Sequence, residues 1–232
     1  MYIKVEDIKL FYTKMGKGQP LLLFHGIFAC SKIYEKVTKE LSKKYTVYSV
    51  DLPTHGKSET PKNLSLTNIA KILNEFVIKN KLKNIIILGH SAGGLIAMEY
   101  ASKYKVKKLI LVDSAGLKYT GLYELIIKNP RLFLKSPIMA TKMSLTATYN
   151  YLRNLFNKDF WKLYKQGTTH EFIELMKKVN CPTLILWGKE DKVFPFERSK
   201  IFKKNIKNSK IIGVKGEHDW IILKPKQISR LI

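Results

Sequence analysis

The sequence contains little cysteine and no long apolar run. Its only two cysteines, Cys30 and Cys181, are far apart in the chain, which excludes a disulfide-stapled miniprotein and a cysteine-ligated zinc site. No segment approaches the roughly 18 consecutive apolar residues that a membrane helix needs. Near the start, Lys4 and Glu6 interrupt the sequence too soon for the apolar region of a signal peptide. We therefore expect a cytoplasmic protein.

Arginine is also scarce, although the chain is strongly basic. Lys and Arg together number 42 against 18 Asp and Glu, which gives a formal net charge of +24, yet the arginines are only Arg131, Arg153, Arg198 and Arg230. Readers of nucleic acid favour Arg because its planar group makes paired hydrogen bonds to bases and phosphates. The lysines are spread along the chain and form no single patch. We predict no specific nucleic-acid partner, whereas an acidic carrier protein or an anionic lipid surface stays open as a partner.

Apolar residues are plentiful enough for one sizeable domain. Hydrophobic residues make up 45% of the 232 positions. Short apolar runs that predict strands alternate with helical patterns, and the predicted strands are 2–5, 8–12, 21–24, 45–50, 85–88, 108–112, 182–187 and 210–214. One predicted helix runs from Ser31, as its N-cap, to Lys43. Wholly apolar strands of this kind are typical of a parallel sheet that is covered on both faces. We predict an α/β fold with a mostly parallel sheet and helices on both faces.

The alternation stops between residues 117 and 178. This stretch has helical spacing throughout and is rich in Leu, Ile, Met and Phe. We predict that residues 117–178 form a helical lid inserted into a core built from residues 1–116 and 179–232.

A glycine-flanked serine provides the strongest functional signal. Gly89-His90-Ser91-Ala92-Gly93 follows a predicted strand and opens a predicted helix, which is the context in which a G-x-S-x-G run places a serine nucleophile on a sharp turn. The two glycines lack the side chains that would collide across such a turn. The alternative is an ordinary glycine-rich connection between strand and helix.

A nucleophilic serine needs a base and an acid that orients the base. His218 lies in the loop after the last predicted strand, from which its imidazole can reach Ser91. Asp191 follows the preceding strand and is our candidate acid, with Asp113 as the competing candidate. For the two backbone donors of an oxyanion hole we expect the amides of Ala92 and Ile27, with Phe28 as the alternative to Ile27.

The order of these motifs resembles that of the α/β-hydrolase fold family over nearly the whole chain. The resemblance is carried by the His25-Gly26 loop, the run Asp51-Leu52-Pro53-Thr54-His55-Gly56-Lys57-Ser58, the Gly89–Gly93 turn, Asp191 and His218. It implies that Ser91 is the nucleophile, His218 the base and Asp191 the acid. Two residues depart from the family pattern, since Thr54 and Glu217 both stand where glycine is common.

The resemblance implies a serine hydrolase that cleaves carboxylic esters of small to medium acyl chain through an acyl-enzyme on Ser91. A lysophospholipase, a monoacylglycerol lipase and a carrier-protein methyl esterase are alternatives, and the family also admits lactonases, C–C bond hydrolases and acyltransferases. A non-catalytic small-molecule binding protein on the same fold is the alternative from another class. We expect a small-molecule ester as the partner, no cofactor and no metal site. The sequence gives no indication of oligomeric state.

Overall fold

The strands that the structure describes form one eight-stranded sheet. The structure, a computed structural model, describes residues 1–118 and 143–232. Within these residues the strands are β1 (Tyr2–Val5), β2 (Ile8–Met15), β3 (Gln19–Phe24), β4 (Tyr45–Val50), β5 (Ile86–His90), β6 (Lys108–Val112), β7 (Thr183–Gly188) and β8 (Ser209–Val214). Their order in the sheet is β1-β2-β4-β3-β5-β6-β7-β8. The pairs β1·β2 and β2·β4 are antiparallel and all later pairs are parallel. The predicted mostly parallel sheet is confirmed.

Helices cover both faces of this sheet. The described helices are α1 (Glu35–Leu41), α2 (Leu66–Lys79), α3 (Ala92–Ala101), α4 (Met143–Arg153), α5 (Lys158–Thr169), α6 (Ile173–Lys177), α7 (Arg198–Asn205), α8 (Trp220–Leu223) and α9 (Pro225–Leu231). Buried residues of α2, α3 and α7 share one apolar cluster, and those of α1, α8 and α9 share another. None of the helices in the described ranges is long and apolar enough to cross a bilayer.

The side chains of β3 show why its sequence is apolar throughout. Leu22 and Phe24 belong to the cluster on one face of the sheet, whereas Leu21 and Leu23 belong to the cluster on the other face. Successive side chains of a strand point to opposite faces, so a strand covered on both sides needs apolar residues at every position. Burial of each such side chain stabilises the fold by about 1.5–3 kcal/mol.

Helix α1 begins three residues later than its sequence pattern predicts. The predicted N-cap Ser31 is not at the helix end, since Tyr34 precedes the first helical residue and caps it with no side-chain hydrogen bond. The backbone amide of Ser31 instead donates to Asp51 Oδ1 at 2.6 Å. This contact with a distant residue holds residues 31–34 in turns, and the prediction of a helix from Ser31 was wrong.

The connection between β6 and β7 contains the helical insertion. Its described helices are α4, α5 and α6, and Phe160 and Tyr164 of α5 pack with Phe28 in a third apolar cluster. Residues 119–142 lie outside the described residues. The predicted boundaries of the lid, 117–178, and of the core, 1–116 and 179–232, therefore stay predictions.

Two glycines allow a very close approach between α3 and the sheet. A Cβ atom on Gly93 would lie 2.3 Å from the carbonyl oxygen of Phe24, and a Cβ on Gly89 would lie 2.5 Å from the carbonyl oxygen of Gly93. Both obstacles are backbone atoms, which cannot move aside as the end of a flexible side chain can. The turn between β5 and α3 therefore requires glycine at both positions.

We predict that Gly93→Ala lowers the free energy of unfolding by about 3 kcal/mol or more, because the added methyl group overpacks the turn against backbone. Gly167→Ala is the matched control. Its added Cβ meets only Leu95 Cδ2, at 3.5 Å, and it lies within α5. Alanine is a better helix former than glycine by about 1 kcal/mol, so this variant should be as stable as the wild type or slightly more stable. Urea unfolding measures both changes, and equal midpoints for the two variants would contradict the argument.

Candidate active site

Ser91 occupies a strained turn between β5 and α3. Its φ is 53° and its ψ is −121°, a conformation that side-chain-bearing residues rarely adopt and that costs about 1–3 kcal/mol. Backbone hydrogen bonds on both sides hold it there. Its amide donates to the carbonyl of Val112 at 3.0 Å, and its own carbonyl accepts from the amides of Gly94 at 2.9 Å and Ala115 at 3.0 Å. The hydroxyl is thereby directed into a cleft beside the sheet.

The structure brings Ser91, His218 and Asp191 together. The distance between His218 Nε2 and Ser91 Oγ is 3.0 Å, and the distance between His218 Nδ1 and Asp191 Oδ2 is 2.8 Å. The other carboxylate oxygen of Asp191 accepts the amides of Val193 at 2.7 Å and Phe194 at 2.8 Å, which fixes the orientation of the acid. The three residues follow β5, β8 and β7, whose carboxyl ends lie at the same edge of the sheet.

Asp113, the competing candidate for the acid, makes its hydrogen bonds to groups other than His218. Its Oδ1 accepts the amide of Gly188 at 2.7 Å and its Oδ2 accepts the indole N–H of Trp220 at 2.6 Å. Burial raises the pKa of this carboxyl well above its usual value. Asp113 thus links the ends of β6 and β7 to α8, and the geometry favours Asp191 as the partner of His218.

Neighbouring carboxylates favour the protonated form of His218. Burial by itself would lower the pKa of its imidazole. The hydrogen bond that His218 donates to Asp191, together with the negative charges of Asp191, Asp219 and Asp113, outweighs burial and raises that pKa above its ordinary value. Since a carboxylate only accepts, Nδ1 carries the proton of the neutral ring and Nε2 presents its lone pair to Ser91. Asp219 was not singled out from the sequence, although its position next to His218 is a signal that could have found it.

A buried chain of hydrogen bonds anchors the His218 loop. His90 Nε2 lies 3.0 Å from the carbonyl of His218, which can only accept, so this nitrogen carries the proton. His90 Nδ1 therefore accepts from the hydroxyl of Tyr34, which in turn accepts the amide of Gly26 at 3.1 Å. Burial and the neighbouring His218 lower the pKa of His90 to about 3, so its ring is neutral. The chain connects the loop after β3 with the loop after β8.

The two residues whose amides are predicted to form an oxyanion hole line the same cleft as Ser91. Ile27 and Ala92 both contribute to its wall, and Gly26 approaches so closely that a Cβ there would lie 3.3 Å from Ser91 Cβ. The ring of Phe28, the alternative donor residue, is buried in the third apolar cluster. The roles of Ile27 and Ala92 stay predictions.

Polar side chains of α4 form hydrogen bonds to the loops around the site. Asn150 Nδ2 donates to the carbonyls of Phe28 at 2.9 Å and Ala29 at 3.0 Å, while its Oδ1 accepts the amide of Gly56 at 2.8 Å. Arg153 donates to the carbonyl of Gly56 at 2.9 Å, and Asn154 donates to the carbonyl of Thr54 at 3.0 Å.

Sequence reasoning missed these residues of α4 because it considered only the apolar residues of the insertion. The spacing of Asn150 and Asn154, one helical turn apart, was the available signal.

The cleft itself is mainly apolar. Its empty volume is about 790 Å³, including the part that is open to solvent. Besides Ile27 and Ala92, the apolar residues of its wall are Leu52, Pro53, Leu64, Leu66, Ile69, Leu95, Ile96, Ala115, Phe160, Leu163 and Phe194. Within residues 1–118 and 143–232 there is no cluster of three or more His, Cys, Asp or Glu side chains that could hold a metal ion.

Comparison with known proteins agrees with this architecture. A family model described as alpha/beta hydrolase fold matches residues 19–136. AB hydrolase superfamily protein YisY of Bacillus subtilis is 28% identical over 91% of this chain and 89% of the relative. Monoacylglycerol lipase ABHD6 of Mus musculus is 26% identical over 100% of this chain and 80% of the relative.

A solved structure gives the same result for the fold. The esterase EaEST from Exiguobacterium antarcticum superposes with a TM-score of 0.79 and 23% identity, covering 99% of this chain and 96% of the other. The family match extends over half of the sequence and includes β3, β5, Ser91 and α3. The chain belongs to the α/β-hydrolase fold family.

Proposed function

We propose that this carboxylic ester hydrolase works through an acyl-enzyme formed on Ser91, with His218 as the base and Asp191 as the acid that orients it. The observation that carries the proposal is the unbroken contact from Asp191 Oδ2 through the His218 ring to Ser91 Oγ, over 2.8 Å and 3.0 Å. These distances are within reach of direct proton transfer.

The mechanism follows from the positions of the donors and acceptors. His218 Nε2 takes the hydroxyl proton as Ser91 Oγ attacks the ester carbonyl, and Asp191 stabilises the imidazolium that results. The amides of Ile27 and Ala92 bind the negative oxygen of the tetrahedral intermediate. The intermediate expels the alcohol, which receives the proton from His218. Water then attacks the acyl-enzyme by the same steps, releases the carboxylic acid and restores Ser91.

We propose that residues 117–178 form a lid over the cleft and that residues 1–116 and 179–232 form the core beneath it. The supporting observation is that Phe160, Leu163 and Thr168 of α5 line the same cleft as Ser91 and Ala92. An apolar roof over the nucleophile excludes water from the acyl chain and strengthens the hydrogen bonds at the reacting oxygen.

The proposed substrate is a carboxylic ester with a small to medium acyl chain. The apolar wall of the cleft supports this, because such walls bind hydrocarbon while a few polar groups orient the ligand. A monoacylglycerol or lysophospholipid is the lipid form of the same substrate class, and the similarity to a monoacylglycerol lipase favours it. An acidic carrier protein or an anionic lipid surface would be attracted by the net charge of +24. A binding protein without catalysis would have no need of the aligned Ser91, His218 and Asp191.

We predict that a fluorophosphonate probe labels the wild-type protein and not Ser91→Ala, because only an activated serine displaces the fluoride. Ser102→Ala is the control, since this hydroxyl donates to the carbonyl of Glu99 at the end of α3 and should have no effect on labelling. Gel fluorescence and hydrolysis of p-nitrophenyl butyrate measure the outcome. Labelling of Ser91→Ala at the wild-type level would remove this residue from the mechanism.

We predict that Asp191→Asn lowers turnover by on the order of 10³–10⁴-fold and moves the acid limb of kcat/KM to lower pH. Catalysis needs neutral His218, and Asp191 raises the pKa of His218, so loss of the carboxylate lowers the pH at which the ring becomes protonated. Glu190→Gln is the matched control, because Glu190 is an exposed neighbour. A pH–rate profile of each variant tests this, and an acid limb that stays in place in Asp191→Asn would count against the assigned pair.

We predict that Asn150→Asp lowers kcat by about tenfold or more and changes KM less. The aspartate keeps the shape of the side chain but loses the N–H groups that bind the carbonyls of Phe28 and Ala29, so the loop that carries Ile27 is released. Asn157→Asp is the control, because its Oδ1 only accepts the amide of Phe160 at 3.0 Å as a helix cap, and aspartate caps equally well. Steady-state kinetics on p-nitrophenyl butyrate decide, and a wild-type kcat in Asn150→Asp would show that α4 does not position the loop.

A further inference from the structure

Two residues of the cleft wall each have a buried polar atom without a hydrogen-bond partner among the described residues. These atoms are His55 Nε2 and the hydroxyl oxygen of Tyr164. Both residues are only 7% exposed, and both line the cleft that contains Ser91. An unsatisfied buried polar group costs about 1–3 kcal/mol, so a pair of them in one otherwise apolar cleft calls for an explanation.

His55 presents a hydrogen-bond acceptor. Its Nδ1 lies 3.0 Å from the carbonyl of Pro53 and 3.1 Å from the hydroxyl oxygen of Thr54. Since the carbonyl can only accept, Nδ1 carries the proton and Nε2 has a bare lone pair. Burial, together with neighbouring His25, lowers the pKa of His55 to about 3, which keeps the ring neutral. A neutral acceptor binds a ligand that brings an O–H or N–H group and not one that brings only a carboxylate or phosphate oxygen.

Tyr164 contributes a group that can donate or accept. It lies on α5, and its ring packs against Phe28 and Trp161 with centroid distances of 6.3 Å and 5.7 Å. Burial raises the pKa of its hydroxyl, so the group remains a neutral phenol. Phe160, on the same helix, has its ring 5.7 Å from that of His55, so the histidine also packs against α5.

Both side chains are held in place by contacts that use neither of these two atoms. The loop of His55 is fixed by Asn154, which donates to the carbonyl of Thr54, and by Asn150, which accepts the amide of Gly56. Neither anchor uses His55 Nε2 or the Tyr164 hydroxyl. The two polar atoms are therefore positioned in advance without being satisfied, which is typical of groups that await a ligand.

We propose that His55 Nε2 and the Tyr164 hydroxyl form a hydroxyl-binding subsite, and that the substrate is an ester with a free hydroxyl group, such as a monoester of a polyol. This inference rests on the proposed ester hydrolysis at Ser91. A substrate hydroxyl donates its one hydrogen to His55 Nε2 and accepts from the hydroxyl of Tyr164. An ester of the same length without that hydroxyl leaves both atoms unsatisfied and is disfavoured.

The test compares kcat/KM for glycerol monobutyrate and for propyl butyrate, which share the acyl group and the three-carbon alcohol chain. The wild type should prefer the glycerol ester. Tyr164→Phe should lower this preference by about three- to tenfold, while the melting temperature stays the same or rises, because the lost hydroxyl had no partner. His55→Phe, which keeps a ring of similar size beside Phe160, should lower the preference as well.

Tyr100→Phe is the matched control. Its hydroxyl donates to Asn74 Oδ1 at 3.0 Å between α3 and α2, away from the cleft, so this variant should lose stability and keep the wild-type preference. An equal kcat/KM for the two esters in the wild type would overturn the subsite. An unchanged preference in Tyr164→Phe would overturn it as well. If that variant also had a lower melting temperature, the Tyr164 hydroxyl would be assigned to a hydrogen bond with a trapped water.

Hydrolysis of p-nitrophenyl butyrate separates this inference from the proposed function. That ester has no free hydroxyl, so its turnover depends on Ser91 and not on the subsite. A wild-type protein that hydrolyses it without preferring glycerol monobutyrate would overturn the subsite alone. A wild-type protein that hydrolyses none of the three esters would overturn the mechanism at Ser91, and the subsite with it.

Discussion

The close packing of α3 against the end of β3 is the constraint on which the rest of the site depends. At Gly93 the helix backbone comes so near to Phe24 that no side chain fits between them. This contact sets the sharp turn at Ser91, and Phe24 also leads directly into the loop that carries Gly26 and Ile27. One steric contact therefore fixes both Ser91, the proposed nucleophile, and the loop from which an oxyanion donor is proposed. The strain at Ser91 persists because the surrounding backbone hydrogen bonds allow no other conformation.

The buried histidines at this edge of the sheet differ in whether they can carry a charge. His25 and His90 are buried and neutral, with their pKa values lowered to about 4 and about 3. His218 differs because carboxylates surround it, so its pKa is raised although it is buried as well. The same residue type thus serves as a structural hydrogen-bonding group at two positions and as a titratable group at the third. Only the arrangement of neighbouring acids distinguishes them.

Local patterns in the sequence were sufficient to predict the sheet and the position of Ser91, because apolar strands and a glycine-flanked serine depend mainly on adjacent residues. The start of α1 was missed since it depends on Asp51, which binds the amide of Ser31 from another loop. Thr54 was recognised as a departure from the family pattern, but its φ of 73° shows what that departure means. A β-branched residue there has the left-handed conformation that glycine adopts without strain, at a cost of about 1–2 kcal/mol.

The hydrogen bonds of Asn150 have a consequence for the motion of α4. One side chain of α4 binds the carbonyls that follow Ile27 and also the amide of Gly56, so any outward displacement of this helix breaks contacts to both loops at once. Displacement of α4 and the present conformation of the loop from which an oxyanion donor is proposed are thus mutually exclusive. Any motion of α4 is therefore coupled, through this one side chain, to motion of both loops.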